Sequence, residues 1–275
     1  MKKTRVLFIS QEIFPYVDGG EMGKISRFLP QGIQERGREI RTFMPRFGSV
    51  NERRNQLHEV IRLSGMNLII NDSDHPLIIK VASIQAARMQ VYFIDNEEYF
   101  QRKAVFRDAK EKFFKDNDDR AIFFSRGVLE TVKKLGWNPD IIHCHGWMTS
   151  LIPLYVKTSY KDDPMFRNSK VIYSLYDDTF TEKFNDDYSK KLMMEGITPA
   201  DVKELKVPTY DNITISAISK SDAVIMGTMD VSPLVRNYLR KANKPVLEYQ
   251  TPENYVEAYN AFYDELVEME DSVLA

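Results

Sequence analysis

The chain has 275 residues, 43% apolar and 28% charged, with a formal net charge of -2 and one cysteine. That length buries a full core in one large domain, and the near-neutral charge supplies no basic field for nucleic acid. No apolar run is long enough to span a bilayer, and Cys144 alone cannot form an internal disulfide, so the expectation is a cytoplasmic protein with no membrane or nucleic-acid partner.

Met1-Lys2-Lys3-Thr4-Arg5 resembles the charged start of a secretion signal. The apolar stretch behind it breaks at Gln11-Glu12 and lacks a small-residue cleavage site, so Thr4 to Ser10 is read as a buried strand. A glycine turn at Gly19-Gly20 follows, then helical spacing of Ile25, Phe28, Leu29 and Ile33 over Lys24 to Glu35, then a strand over Arg38 to Met44. Val60 to Leu63, Asn67 to Ile70, Leu77 to Val81 and Gln90 to Ile94 read as short meandering strands added to the sheet. A polar segment leads into a helix from Asp118 to Leu135 that Gly136 stops. Strands over Asp140 to Cys144, Lys170 to Tyr176 and Ser221 to Gly227 alternate with helices, the first of these over Trp147 to Ser159. Lys183 to Thr209 reads as a solvated helical excursion. Residues 252–274 form an amphipathic helix that docks on the core through Tyr255, Tyr259, Phe262, Tyr263 and Leu266. The fold class is α/β, a Rossmann-like and mostly parallel sheet flanked by helices, with no linker dividing residues 1–275.

Two short clusters invite a chemical reading. Alternation along a strand puts His143 and His145 of His143-Cys144-His145 on one face, but only the isolated His58 and His75 remain to complete a tetrahedral site, so no metal is assigned. Asp177-Asp178 after a strand has the look of a carboxylate pair, yet neighbours on an extended chain point apart, and a solvated turn is expected there.

The order of several motifs carries a resemblance: Arg5 to Gly20, Val91-Tyr92-Phe93-Ile94-Asp95 with Tyr99-Phe100, Asp116 to Arg126, Asp140 to Trp147 with Pro153, Lys170 to Tyr173, and Ser221-Asp222 ahead of Val231-Ser232-Pro233. Over these stretches the chain resembles the N-terminal catalytic domain of bacterial glycogen synthases and plant starch synthases, two-lobed GT-B glycosyltransferases. The resemblance implies the N-terminal, acceptor-side half of that fold and glucosyl transfer from a nucleotide-glucose to an α-glucan, with no cofactor. It makes Glu12, His145, Trp147 and Asn212 the sugar or glucan candidates. Trp147 at a helix start suits a core position as well as a sugar platform, and Glu12 suits a capping role.

Other signature positions depart from the family. Its turn after the first strand reads Lys-Thr-Gly-Gly-Leu-Gly-Asp. Counting back from Leu29-Pro30 places Asp18 at the lysine, Glu21 at the second glycine and Lys24 at the aspartate, while a one-residue gap returns Gly19 and Gly20 to the glycines. Asp18 and Glu21 put negative charge where a diphosphate is held. Gly146 replaces the aspartate of His-x-His-Asp-Trp, and Leu175 replaces a histidine beside the reacting carbon. The family's second lobe, which supplies most nucleotide contacts, has no counterpart in these residues. The expected function is therefore a synthase-like domain inactive by itself, completed by a second lobe in trans; the other reading is a non-catalytic glucan-binding or regulatory module.

Overall fold

In the computed structural model, residues 3–17 and 20–274 are described, with side chains through residue 268. The chain begins with β1 (Arg5–Ser10), the amphipathic helix α1 (Glu21–Glu35) and β2 (Glu39–Pro45). Next come β3 (His58–Glu59), β4 (Met66–Ile70), β5 (Ser73–Ile84) and β6 (Met89–Asp95). The short α2 (Glu97–Phe100) is capped by Asn96, whose side chain accepts from the N–H groups of Glu98 and Tyr99. The long α3 (Asn117–Leu135) ends at Gly136, which takes φ 62° and returns its N–H to Lys133. Then follow β7 (Ile141–His145), α4 (Leu151–Lys157), β8 (Lys170–Leu175), α5 (Tyr188–Lys191), α6 (Tyr210–Lys220), β9 (Ala223–Met226), α7 (Pro233–Lys241), β10 (Val246–Leu247) and α8 (Tyr255–Leu274).

Among the described residues the strands form one sheet in the order β10-β9-β8-β7-β1-β2-β6-β5-β3, with β4 beside β5. From β10 to β6 every pairing is parallel; β5 runs antiparallel to β6, and β3 and β4 antiparallel to β5. The sheet is thus mostly parallel, as the strand and helix alternation implied. Alternate residues of each central strand enter different cores. Leu7, Ile9, Ile142, Cys144, Val171, Tyr173 and Leu175 pack in a core with residues of α3, α4 and α6, whereas Val6, Phe8, Ile141, Ile172 and Ile225 pack in a second core with residues of α1 and α8.

The C-terminal helix docks on the core. Tyr259, Phe262, Tyr263 and Leu266 are buried, and α8 lies so close to α1 that a side chain at Gly32 would meet Val256 at 2.5 Å. Arg36 pairs with Glu257 at 2.9 Å and Arg38 with Asp264 at 2.7 Å along the same contact.

Two local expectations are corrected. Val60 to Leu63 is a turn, closed by Leu63 N–H to Val60 O at 2.9 Å, and the strand lies just before it at β3; Val60 N–H still reaches Ile79 O of β5 at 2.8 Å, but Ile61 is 83% exposed. Lys183 to Thr209 is no solvated excursion, because Phe184, Tyr188, Leu192, Ile197, Val202 and Leu205 are all buried. Its Lys191 reaches Asp118 at 3.0 Å and Asp119 at 2.9 Å beneath the surface, so even its charge is used internally.

Candidate functional site at the strand ends

The chain leaves β1 toward β2 on one side and returns to β7 on the other, so the loops behind β1 and β7 diverge and open a crevice at the carboxyl ends of the strands. A cleft of about 500 Å³ occupies that position. Gln11 and Glu12 line it from behind β1, Trp147 from behind β7, Tyr176, Asp177 and Asp178 from behind β8, and Gly227 and Thr228 from behind β9. Gly20, Glu21 and Met22 at the start of α1 form one rim, and Phe106, Arg107, Phe113 and Phe180 the opposite wall.

Among the described residues, four carboxylates line this cleft and one cation does. Arg107 is already taken: its guanidinium meets Glu182 at 2.5 and 2.8 Å, and the pairing holds the Glu182 carboxyl down at about 2. Glu12 turns its carboxylate toward the first turn of α1, where its Oε1 would lie 3.5 Å from a Cβ placed on Gly23, and the backbone of Gly20 and Gly23 works to lower its pKa. Burial, and then the charge of Asp178, raise its pKa in spite of that. Because α1 has no side-chain cap of its own at Gly20, Glu12 supplies the anion that this helix end attracts. Asp178 is not the solvated turn residue expected. It accepts from Trp147 N–H at 2.9 Å and from the Tyr210 hydroxyl at 2.7 Å, tying the loops behind β7 and β8 to α6, and burial pushes its pKa up to about 6.

The sequence candidates separate in space. Glu12, Gly20, Glu21 and Trp147 meet at the cleft. Trp147 is 2% exposed, its indole covered by Phe106, Phe180 and Phe184 with ring centroids 4.6, 5.4 and 5.5 Å away, so little of its face is open to a sugar. His145 is fully buried beneath Tyr176, whose hydroxyl lies 2.8 Å from its Nδ1, while its Nε2 has no partner. Asn212 lies on α6 outside the cleft lining and donates to Val207 O at 2.8 Å. Lys24 is exposed on α1 and lies outside that lining, and Asp18 and Gly19 lie outside the described residues. Gln11, Tyr176, Asp178 and Arg107 are cleft residues that the motif reading passed over. Their position directly behind strands β1 and β8 was the available signal for the first three.

Residues 5–236 match the family described as starch synthase catalytic domain. The chain belongs to that family. It is 39% identical over 176 residues to the glycogen synthase of Chlorobium luteolum, a stretch covering 64% of this chain and 36% of that relative. The glycogen synthase of Chlorobaculum tepidum is 38% identical over the same span. The chain therefore spans about a third of the length of the curated relatives it matches. Among solved structures, the catalytic domain of starch synthase IV from Arabidopsis thaliana, bound to ADP and acarbose, superimposes with a TM-score of 0.71 at 18% identity, covering 91% of this chain and 52% of that one. This likeness establishes the fold of this chain as equivalent to one half of a GT-B glycosyltransferase.

Within this starch synthase family domain, the changed signature positions are built into the packing. Leu175 is 2% exposed in the core against α4 and α6. Gly146 adopts φ 87°, and a side chain there would meet Gln11 Cβ at 2.8 Å and Met22 Sδ at 2.9 Å. Gln11 fills that space and accepts from Met148 N–H at 3.2 Å. Restoring the family aspartate by Gly146→Asp is therefore expected to destabilise the domain, by about 2–4 kcal/mol from backbone strain and overpacking together. Urea denaturation of both proteins measures this, and an unchanged midpoint would refute it.

Proposed function

We propose that this chain is the acceptor-side half of a glucosyltransferase of the glycogen and starch synthase type, acting in the cytoplasm and inactive until a donor-side lobe is supplied by a second chain. The observation that carries the reading is the occupied end of α1. A diphosphate needs free N–H groups and positive charge at a helix N-terminus, and here the Glu12 carboxylate already faces that helix end beside Gly23 while Glu21, Asp177 and Asp178 line the same space. Sugar hydroxyls, by contrast, donate hydrogen bonds to such carboxylates. An α-glucan, the acceptor that membership of this family suggests, is the ligand to which the cleft is suited.

A second reading, a glucan-binding module without transferase activity, is favoured by Leu175, which offers no polar atom at the position of the family histidine. Both readings expect the isolated chain to bind ADP-glucose or UDP-glucose with a Kd above about 1 mM, equivalent to less than about 4 kcal/mol of binding free energy. Titration calorimetry at modest salt checks this; micromolar affinity for either nucleotide sugar overturns the assignment. Retardation in glycogen gels, abolished by Glu12→Gln together with Asp177→Asn, is the expected sign of glucan in the cleft. Glucose incorporation into glycogen on adding a candidate donor lobe then decides for the transferase, and its absence with every lobe decides for the binding module.

A further inference from the structure

Away from the acidic cleft, the antiparallel end of the sheet carries the opposite charge. Three depressions of about 450, 420 and 400 Å³ run into one another there. The first two share Pro15, Tyr16, Arg54 and Asn55, and the second and third share Ser83, Ile84 and Gln85. Among the described residues no aspartate or glutamate lines any of the three, whereas Arg41, Arg54, Arg88 and His58 do. The nearby acids are engaged elsewhere or face away: Glu52 holds Lys80 at 2.7 Å and also Arg46, Glu39 holds Arg5 at 3.0 Å, and Glu59 is exposed on β3. Arg41 is fixed in place, donating to the Tyr92 hydroxyl at 2.6 Å with its Nε buried and unpartnered. Arg54 and Arg88 are exposed, and among the described residues neither guanidinium has a carboxylate partner.

The backbone at this trough is also unfinished. Ala82, Ser83 and Ile84 of β5 pair with Val91, Gln90 and Met89 of β6, but among the described residues nothing pairs with them on the other side. β3 covers only Lys80 and Val81. It stops at His58 because Gln56 takes φ 53° and residues 51–57 curl into a turn, with Asn55 N–H to Asn51 O at 3.1 Å and Leu57 N–H to Glu52 O at 2.9 Å. An open edge is left along β5 beyond the end of β3, lined by Arg54 on one side and Arg88 on the other. Open strand edges of this kind accept an extended chain from another molecule.

We infer that this trough docks an extended acidic peptide segment of a partner protein, which adds as a strand to the free edge of β5 and places carboxylates on Arg54 and Arg88. The open edge favours a peptide over a phosphate ester, because main-chain groups can pair with main-chain groups and a phosphate offers none. The role is separate from the cleft, at the far end of β5, and does not depend on the reading of the cleft.

Fluorescence anisotropy with a labelled decapeptide of alternating glutamate and valine tests it, using the full chain at low salt. Saturable binding is expected, and the variant Arg54→Glu with Arg88→Glu, two exposed positions, is expected to weaken it by about tenfold or more. A peptide of equal charge with proline at every valine, unable to form a strand, is expected to bind at least about tenfold more weakly than the parent. Equal affinity for the proline peptide would reduce the trough to a charged surface and overturn the strand addition. No binding, no effect of the double variant, or full displacement by millimolar inorganic phosphate at matched ionic strength would each overturn the peptide assignment.

Discussion

Lowering the pH from 6 to 4 is expected to destabilise this domain steadily, through two histidines that fold without their protons. His143 sits between the Tyr263 hydroxyl and the Ser174 hydroxyl at 2.6 Å each, and burial holds its pKa well below 6.5. His145, with its ring centroid 3.9 Å away, is pushed down to about 3 by the same burial. Below pH 6.5 the unfolded chain binds protons at both rings and the native chain binds neither, so stability present above that pH is lost as the pH falls, by about 1.4 kcal/mol per unit for each ring. Asp178 acts in the other direction. With a folded value of about 6 against 3.8 unfolded, its contribution grows as the pH falls through that window. Asp178, together with Glu12 and Asp119, whose pKa values burial also raises, offsets part of what the two rings lose, so the net loss is smaller than the rings alone would give. Replacing His145 by glutamine removes one ring and should make the slope clearly shallower. Guanidinium denaturation across that range reads the slope directly, and an identical slope in wild type and His145→Gln would show that His145 is protonated in the folded state.

Removal of α8 is the second large effect. Tyr259, Phe262, Tyr263 and Leu266 are each 6% exposed or less. Burying side chains of this size contributes about 1.5–3 kcal/mol apiece, so the four together rival the whole stability of an ordinary domain, about 5–15 kcal/mol. Their loss would also bare Val6, Phe8, Ile141 and Ile172. A chain ending at Thr251 is expected to have no cooperative melt and to elute as aggregate in size exclusion. A monomer melting within a few degrees of the intact protein would mean that the second core is held without the helix. Tyr263→Phe is the mild form: it strips the hydroxyl from His143 Nδ1 and should cost about 1–3 kcal/mol, the penalty of an unsatisfied buried group.

What could be read in the sequence depended on whether a signal was local. The central strands stand out as apolar runs because both of their faces are buried, and α8 because its aromatic residues recur at helical spacing. Val60 to Leu63 misled because a four-residue run with three apolar members fits a turn as well as a strand; only its neighbours in space decide. Asp178 misled because the groups that bury it, Trp147 N–H and the Tyr210 hydroxyl, lie 31 and 32 residues away. Trp147 kept two readings open in the sequence for the same reason, since Phe106, Phe180 and Phe184 converge on it from two separate loops. Gly146 reads as the loss of a functional aspartate until its positive φ and the crowding of Gln11 are known.

The strand order has a consequence for how the chain is made. β1 is made long before one of its two sheet partners, β7, which begins at Ile141, and before α8, which begins at Tyr255 and shares with α1 the cover of its second face. Until those segments are made, the nascent chain carries a strand apolar on both sides with one edge vacant and its second face covered by α1 alone. Closing loops of that span is slow, and exposed strand edges of this kind invite aggregation and chaperone capture. Completion of the second core thus waits for the arrival of α8.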